Sequence, residues 1–358
     1  MKSRRVFKAY EIKEYKEMIS ILSTISADTF QEIKQEDMTI LHHAAFDGDI
    51  EAVGMMTTLP YFKDIVNTNN NNVKQTILLI SQSLQSGWTP LLWASSQKNV
   101  SMVKFLHENG AELLQPKKDG FTSLHVASSG NDVHTLDYVI KKKETNSIDL
   151  VNQDGWTPAH LASFLGNFDA LNLLIENGSD LSRKHFHNMN CFDEIVRNDN
   201  KDLFECVYTL TKNMKRNLKL AGAFSIVHLA SGNTGSKCLK FLLEQGESAN
   251  QICNEFDKAT PLHFAVLCNN YDNAKLLLRH NASPNQKDSA GNTPMHFAVM
   301  AQNLSMVRML DEYNADAQIK NLEEICPIDI AISQDLRDIK LHFMAQTKYR
   351  SFDFQGVN

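Results

Sequence analysis

The sequence predicts an all-α fold, a solenoid of stacked helix–turn–helix units joined by short hairpin loops, and three observations carry that prediction. A four-residue motif recurs in one register: Thr39–His42, Thr89–Leu92, Thr122–His125, Thr157–His160, Ser225–His228, Thr260–His263 and Thr293–His296, with eroded copies at Asn190–Asp193 and Cys326–Asp329. Successive starts lie 50, 33, 35, 33, 35, 35, 33 and 33 residues apart, a period at which each repeat is one supersecondary unit. Threonine caps a helix N-terminus, and proline after it sits where the N–H would be unbonded anyway, so a helix starts at each motif. Twenty-one residues beyond the motif start stand Gly110, Gly178, Gly246, Asn281 and Asn314, the residue types that end a helix in the left-handed conformation.

Taken in order, residues 1–38 lack a repeat core but place Tyr15, Met18, Ile19, Leu22 and Ile25 on one helical face, the pattern of an N-terminal helical cap. The first unit starts at Thr39 and departs from the pattern at Pro60, where the helix-ending glycine should stand. An insertion of about 60–86 follows, with an asparagine run at 69–72 read as a polar loop and 73–84 as an extra helix. Units at Thr89, Thr122 and Thr157 are the best formed, each preceded by a turn glycine: Gly87, Gly120 and Gly155. The unit at Asn190 has lost threonine, proline and histidine. Between Ser225 and Thr260 two extra residues predict a protruding hairpin at 252–258. The unit at Cys326 ends in a helix over 336–344 and reads as the C-terminal cap, so the array covers 39–345 and a polar tail 346–358. Within each unit a break at Gly48, Gly130, Gly166 or Asn269 separates a short first helix from a longer apolar second one, whose stripe is buried only against neighbouring units.

Nine motifs in one register resemble the ankyrin repeat family over roughly Thr39 to Ala345. The resemblance implies that the motif histidines link neighbouring repeats by hydrogen bonds. It also implies that the residue before each motif, and those seven and eight after its start, face a concave groove where protein partners dock. In this sequence the first position holds Met38, Trp88, Phe121, Trp156 and Phe224; the later ones hold Phe46, Phe164, Leu165, Leu267 and Met300.

Composition narrows the function. Of 358 residues, 42% are hydrophobic and 22% charged, which suits an ordered chain. A net charge of −6 argues against a nucleic-acid partner, since phosphate binding needs a clustered basic surface. The short basic runs Lys117-Lys118, Lys141 to Lys143 and Lys212 to Lys219 read as solvated helix ends. Six cysteines without a C-x-x-C spacing fit reduced thiols of an intracellular protein. No apolar run approaches the ~20 residues that cross a membrane, and Glu11, Glu14 and Glu17 interrupt any signal-peptide core. The expectation is a cytoplasmic protein without membrane insertion, with cytoskeletal association as one possible setting.

No phosphate-binding loop, nucleophile elbow or kinase signature is present. Of thirteen histidines, His42, His125, His160, His228, His263 and His296 belong to the motif. His42-His43 is no Asp-His-His-Cys palmitoyltransferase centre, and His185, His187 and Cys191 lack the spacing of a zinc site. The sequence therefore predicts no catalytic residues, no cofactor, no metal and no small-molecule substrate. It predicts a non-enzymatic scaffold or adaptor that binds protein partners through Trp88, Phe121, Trp156, Phe164 and Leu165, aromatic anchors each worth ~2 kcal/mol or more when a partner buries them. Two alternatives stand beside it: that these rings fold over the next hairpin and cover the stack, and that the chain is a regulatory or substrate-targeting subunit of an enzyme complex.

Overall fold

The computed structural model describes residues 2–35, 38–67, 87–142, 148–213, 225–254 and 257–346. The asparagine run and the helix expected over 73–84, Phe224, residues 214–219 of the basic run and the tail from 347 fall outside those residues. The chain divides into two compact units, Met1–His187 and Asn188–Asn358.

Unit 1 opens with three short helices, α1 (Lys2–Glu11), α2 (Tyr15–Leu22) and α3 (Ala27–Glu32), then a two-stranded antiparallel ribbon, β1 (Lys34–Gln35) and β2 (Met38–Thr39). The expected face of α2 buries Tyr15, Met18 and Leu22. Tyr10 and Tyr15 donate their hydroxyls to Asp47 (2.6 Å) and Asp49 (2.5 Å), which ties this region to the first repeat. The repeats follow as α4 (Ile40–Asp47) with α5 (Ile50–Met56), a short α6 (Phe62–Ile65), α7 (Pro90–Ser96) with α8 (Val100–Glu108), α9 (Ser123–Ser129) with α10 (Val133–Lys142), and α11 (Pro158–Leu165) with α12 (Phe168–Glu176). The sequence did not signal α6; α5 ends at Met56, and after Pro60 the chain takes one further helical turn with Tyr61 as its N-cap.

Unit 2 repeats the scheme with α13 (Cys191–Arg197), α14 (Lys201–Asn213), α15 (Ile226–Gly232), α16 (Lys237–Glu244), α17 (Pro261–Leu267), α18 (Tyr271–Arg279), α19 (Pro294–Met300), α20 (Leu304–Glu312), α21 (Pro327–Ser333) and α22 (Arg337–Ala345). In the hairpin between α16 and α17, Cys253 bridges Ala259 and Ile252 is half exposed; residues 255 and 256 are not described.

Every motif residue, eroded copies included, is the extended N-cap of an inner helix. The worn unit keeps its geometry with other atoms: the Asn190 side chain accepts from the N–H groups of Phe192 and Asp193, and Asp193 accepts from the Asn190 N–H at 2.9 Å. Cys326 and Asp329 form the same reciprocal box, the Cys326 sulfur accepting from the Asp329 N–H and Asp329 accepting the Cys326 N–H at 2.8 Å. The helix-ending residues are left-handed as expected, from φ 63° at Asn281 to 100° at Gly110. At the break near Gly130 the left-handed residue is instead Asn131, φ 54°.

The hairpin glycines do more than turn the chain. Gly120 has φ +86°, and a Cβ there would lie 2.9 Å from Cα of Asn152 in the next hairpin. Gly110, at φ +100°, has nothing within 4 Å. Gly120→Ala is therefore expected to cost about 2 kcal/mol through strain and collision, and Gly110→Ala about 1 kcal/mol through strain alone. Urea denaturation orders the two; equal midpoints would mean that successive hairpins do not depend on this approach. Glu324 holds the equivalent left-handed position, φ 61°, in the hairpin before α21.

Candidate functional site

The motif histidines are the most regular polar feature of the chain. In the units at Thr122, Thr157, Thr260 and Thr293 the threonine N–H donates to the histidine Nδ1 at 3.0–3.2 Å. An Nδ1 that accepts carries no proton, so the proton is on Nε2, which donates across to the neighbouring hairpin. His42, His125, His228, His263 and His296 reach the carbonyl just before the next motif, those of Trp88 (3.0 Å), Trp156 (3.1 Å), Ala259 (3.1 Å), Asn292 (3.2 Å) and Ile325 (3.2 Å). His160 departs from the pattern and meets the Arg183 carbonyl at 2.9 Å. Burial pushes His125 from 6.5 down to about 4, and it lowers His228, His263 and His296 against the raising effect of their carbonyl partners. These imidazoles are neutral fasteners between repeats.

The five residues singled out in the sequence fall into two settings within unit 1. Trp88 is only 5% exposed and belongs to a core cluster with Met38, Leu92, Trp93 and Val126. Its ring stacks on Trp93 (4.7 Å between centroids, 29°), and Phe46 meets Trp93 edge-on at 5.3 Å. Lys117, expected in a solvated basic run, is instead buried in the hairpin, where it lies over Trp88 (5.5 Å) and Phe121 (4.7 Å) while its ammonium pairs with Asp119. So Trp88 is covered by the chain itself, through Trp93 four residues past the motif start and Lys117 in the next hairpin.

Phe121, Trp156, Phe164 and Leu165 are half-buried. Trp156 stacks almost parallel on His185 (4.6 Å, 4°) and meets Phe164 edge-on at 5.5 Å (87°). One side of its ring is thus held by the following hairpin, as the packing alternative supposed, yet the residue keeps part of its surface in solvent. Around it α7, α9 and α11 contain no Lys, Arg, Asp or Glu, so the face they present is uncharged, with Ser96 and Ser129 beside Phe164 and Leu165.

The sequence reading missed Phe186, which is 77% exposed at the tip of the hairpin after α12. Its signal was available: the same tip position holds Lys118 and Gln153 in the preceding hairpins, so an apolar residue there breaks the pattern. In unit 2 the positions seven residues after the motif start, Leu267 and Met300, are 56% and 53% exposed, more open than any of the five residues first chosen.

Among the described residues no cluster of titratable side chains converges on a reaction centre. His160, His185 and His187 pack ring against ring at 5.2 and 5.5 Å, and among the described residues no group of three His, Cys, Asp or Glu is placed to hold a metal ion. A surface hollow of roughly 410 Å³ beside α2 and α5 is lined by Glu14, Tyr15, Glu17 and Glu51, away from the aromatic face. Among the described residues no helix is long and apolar enough to cross a membrane.

Comparison with known proteins agrees with the geometry. The family description "Ankyrin repeats (3 copies)" matches residues 9–117, 112–185, 195–288 and 227–321. The NAD-dependent deacetylase sir2B of Dictyostelium discoideum is 25% identical over 282 residues, 70% of this chain and 35% of that protein. A putative palmitoyltransferase, ZDHHC13 of Danio rerio, is 27% identical over 208 residues, 58% of this chain and 31% of that protein. The chain spans about a third of the length of these relatives. The crystal structure of the human ASB11 ankyrin repeat domain superposes with a TM-score of 0.54 at 22% identity, covering 64% of this chain and 99% of that one, a likeness of fold.

Proposed function

This chain belongs to the ankyrin repeat family, and from that premise we propose that it is a non-enzymatic scaffold or adaptor that binds a protein partner on the aromatic face of unit 1. Ankyrin repeats are in general protein–protein interaction modules, but a fold does not name a partner, so the site must carry the argument. The observation that carries it is the half-buried group Phe121, Trp156, Phe164 and Leu165, the first two just before charge-free inner helices and the last two on one. Rigid aromatic rings that are partly open and already held by packing lose little entropy on docking.

The reading needs no cofactor, small-molecule substrate or nucleic acid. It fits a cytosolic setting, cytoskeletal association included, in which the six cysteines stay reduced. Trp88 is left out of the contact surface because its ring is enclosed.

The test is capture of partners by the tagged protein followed by mass spectrometry, comparing wild type with the Phe121→Ser/Trp156→Ser/Phe164→Ser variant. Proteins retained in a stable stoichiometric particle by the wild type should be absent from the variant while its far-UV circular dichroism is unchanged. The same partners on a folded variant would refute the placement of the site.

A further inference from the structure

We infer that the partner segment recognised by unit 1 is an amphipathic peptide whose apolar anchors enter the Trp156 face and whose acidic residues lie toward the hairpins. The inference rests on the docking role proposed for that face and adds the chemistry of what docks.

The floor of the face offers no charge, because α7, α9 and α11 have no ionisable residue apart from the motif histidines His125 and His160, which are buried and neutral in their bonds to Trp156 and Arg183. A charged side chain pressed against that floor would lose its water without gaining a partner. The hairpin edge is different. The three hairpin segments beside Phe121, Trp156 and Phe164, residues 115–121, 150–156 and 183–187, contain four cations, Lys117, Lys118, Arg183 and Lys184, against two carboxylates, Asp119 and Asp154.

The excess of two positive charges is the same at the surface. Asp119 is engaged by the buried Lys117, and the exposed charges of these segments are Lys118, Arg183, Lys184 and Asp154. The positive edge stands out against a chain of net charge −6. The equivalent segments beside Leu267 and Met300 in unit 2, residues 253–259, 286–292 and 319–325, have three lysines against five carboxylates. The sign of the edge is therefore a property of unit 1 and not of the repeat. Phe186, exposed at the tip beside Lys184, adds an apolar anchor at the same edge. An uncharged floor and a basic rim together select apolar side chains on one flank of a segment and acidic ones on the other.

Selection of a random 16-residue peptide library on the immobilised full chain tests this. Enriched peptides should combine at least two large apolar residues with net negative charge. Their affinity should fall at least tenfold on Trp156→Ser, at least tenfold on Lys118→Glu/Lys184→Glu, and about fivefold between 0.05 and 0.5 M salt through screening. The lysine pair is exposed, so the second variant stays folded, with circular dichroism as the control. Peptides that need Trp156 but are neutral or basic, or that ignore Lys118→Glu/Lys184→Glu, overturn the acidic-segment inference and leave the docking face standing. No enrichment, or enrichment indifferent to Trp156→Ser, overturns both.

Discussion

Acidification from pH 7.5 to 5 is expected to destabilise the folded chain well before its carboxylates titrate. His125 has an ordinary value of 6.5 and a folded value of about 4, set first by burial. The folded state thus binds fewer protons than the unfolded one across that interval. The stability it contributes is complete above 6.5 and is lost as the pH falls toward 4. For His125 alone the loss is about 2 kcal/mol by pH 5 and about 3 kcal/mol near pH 4, at 1.36 kcal/mol per unit. His228, His263 and His296 shift in the same direction for the same cause and add to it. The geometry gives the reason: a proton on Nδ1 of His125 would face the Thr122 N–H that now donates to it at 3.2 Å. Urea denaturation at pH 7.5, 6 and 5 measures the effect. His125→Leu, which copies Leu92 of the neighbouring unit, should be less stable at pH 7.5 yet lose less between pH 7.5 and 5. A wild-type midpoint that stays flat over this range would refute the fastener role.

Trp88→Ala is expected to cost about 3–5 kcal/mol, the range for deleting a fully buried large aromatic ring, and to leave a void between Trp93 and Lys117. Trp156→Ala, where one side of the ring is already in contact with solvent, should cost less stability and more partner capture. Denaturant unfolding of the two variants, with capture measured on the folded fraction, separates core from contact surface. If Trp88→Ala kept wild-type stability and abolished capture, Trp88 would belong to the docking surface after all. A serine at Trp88, included in a variant meant only to probe binding, would confuse unfolding with loss of contact.

The contrast between these two tryptophans shows what could be read from the sequence. Both precede a motif threonine, and the repeat places both on the same face. What separates them is one hairpin further on. Lys117 stands where the other hairpins of the block hold Asn152 or His185, and Trp93 stands where other units hold Val126 or Leu161. Those two substitutions close over Trp88, while Trp156 is covered on one side by His185. Phe186 escaped notice because the motif was aligned on inner-helix positions and its exposure is decided at a hairpin tip.

By itself the sequence determined the period, the N-cap at every motif and the left-handed helix ends, while the bonding role of the motif histidines came from the family resemblance. Those depend on a residue and its neighbours within a turn or one repeat, and the chemistry of capping and left-handed backbone is local. Only the tertiary structure decided which aromatic rings lie in solvent, that the chain forms two compact units, and that Phe186, Leu267 and Met300 stand open while Trp88 is enclosed. Solvent exposure is a sum over all atoms that approach a side chain. In a repeat, many of those atoms come from the next unit, more than thirty residues away in sequence.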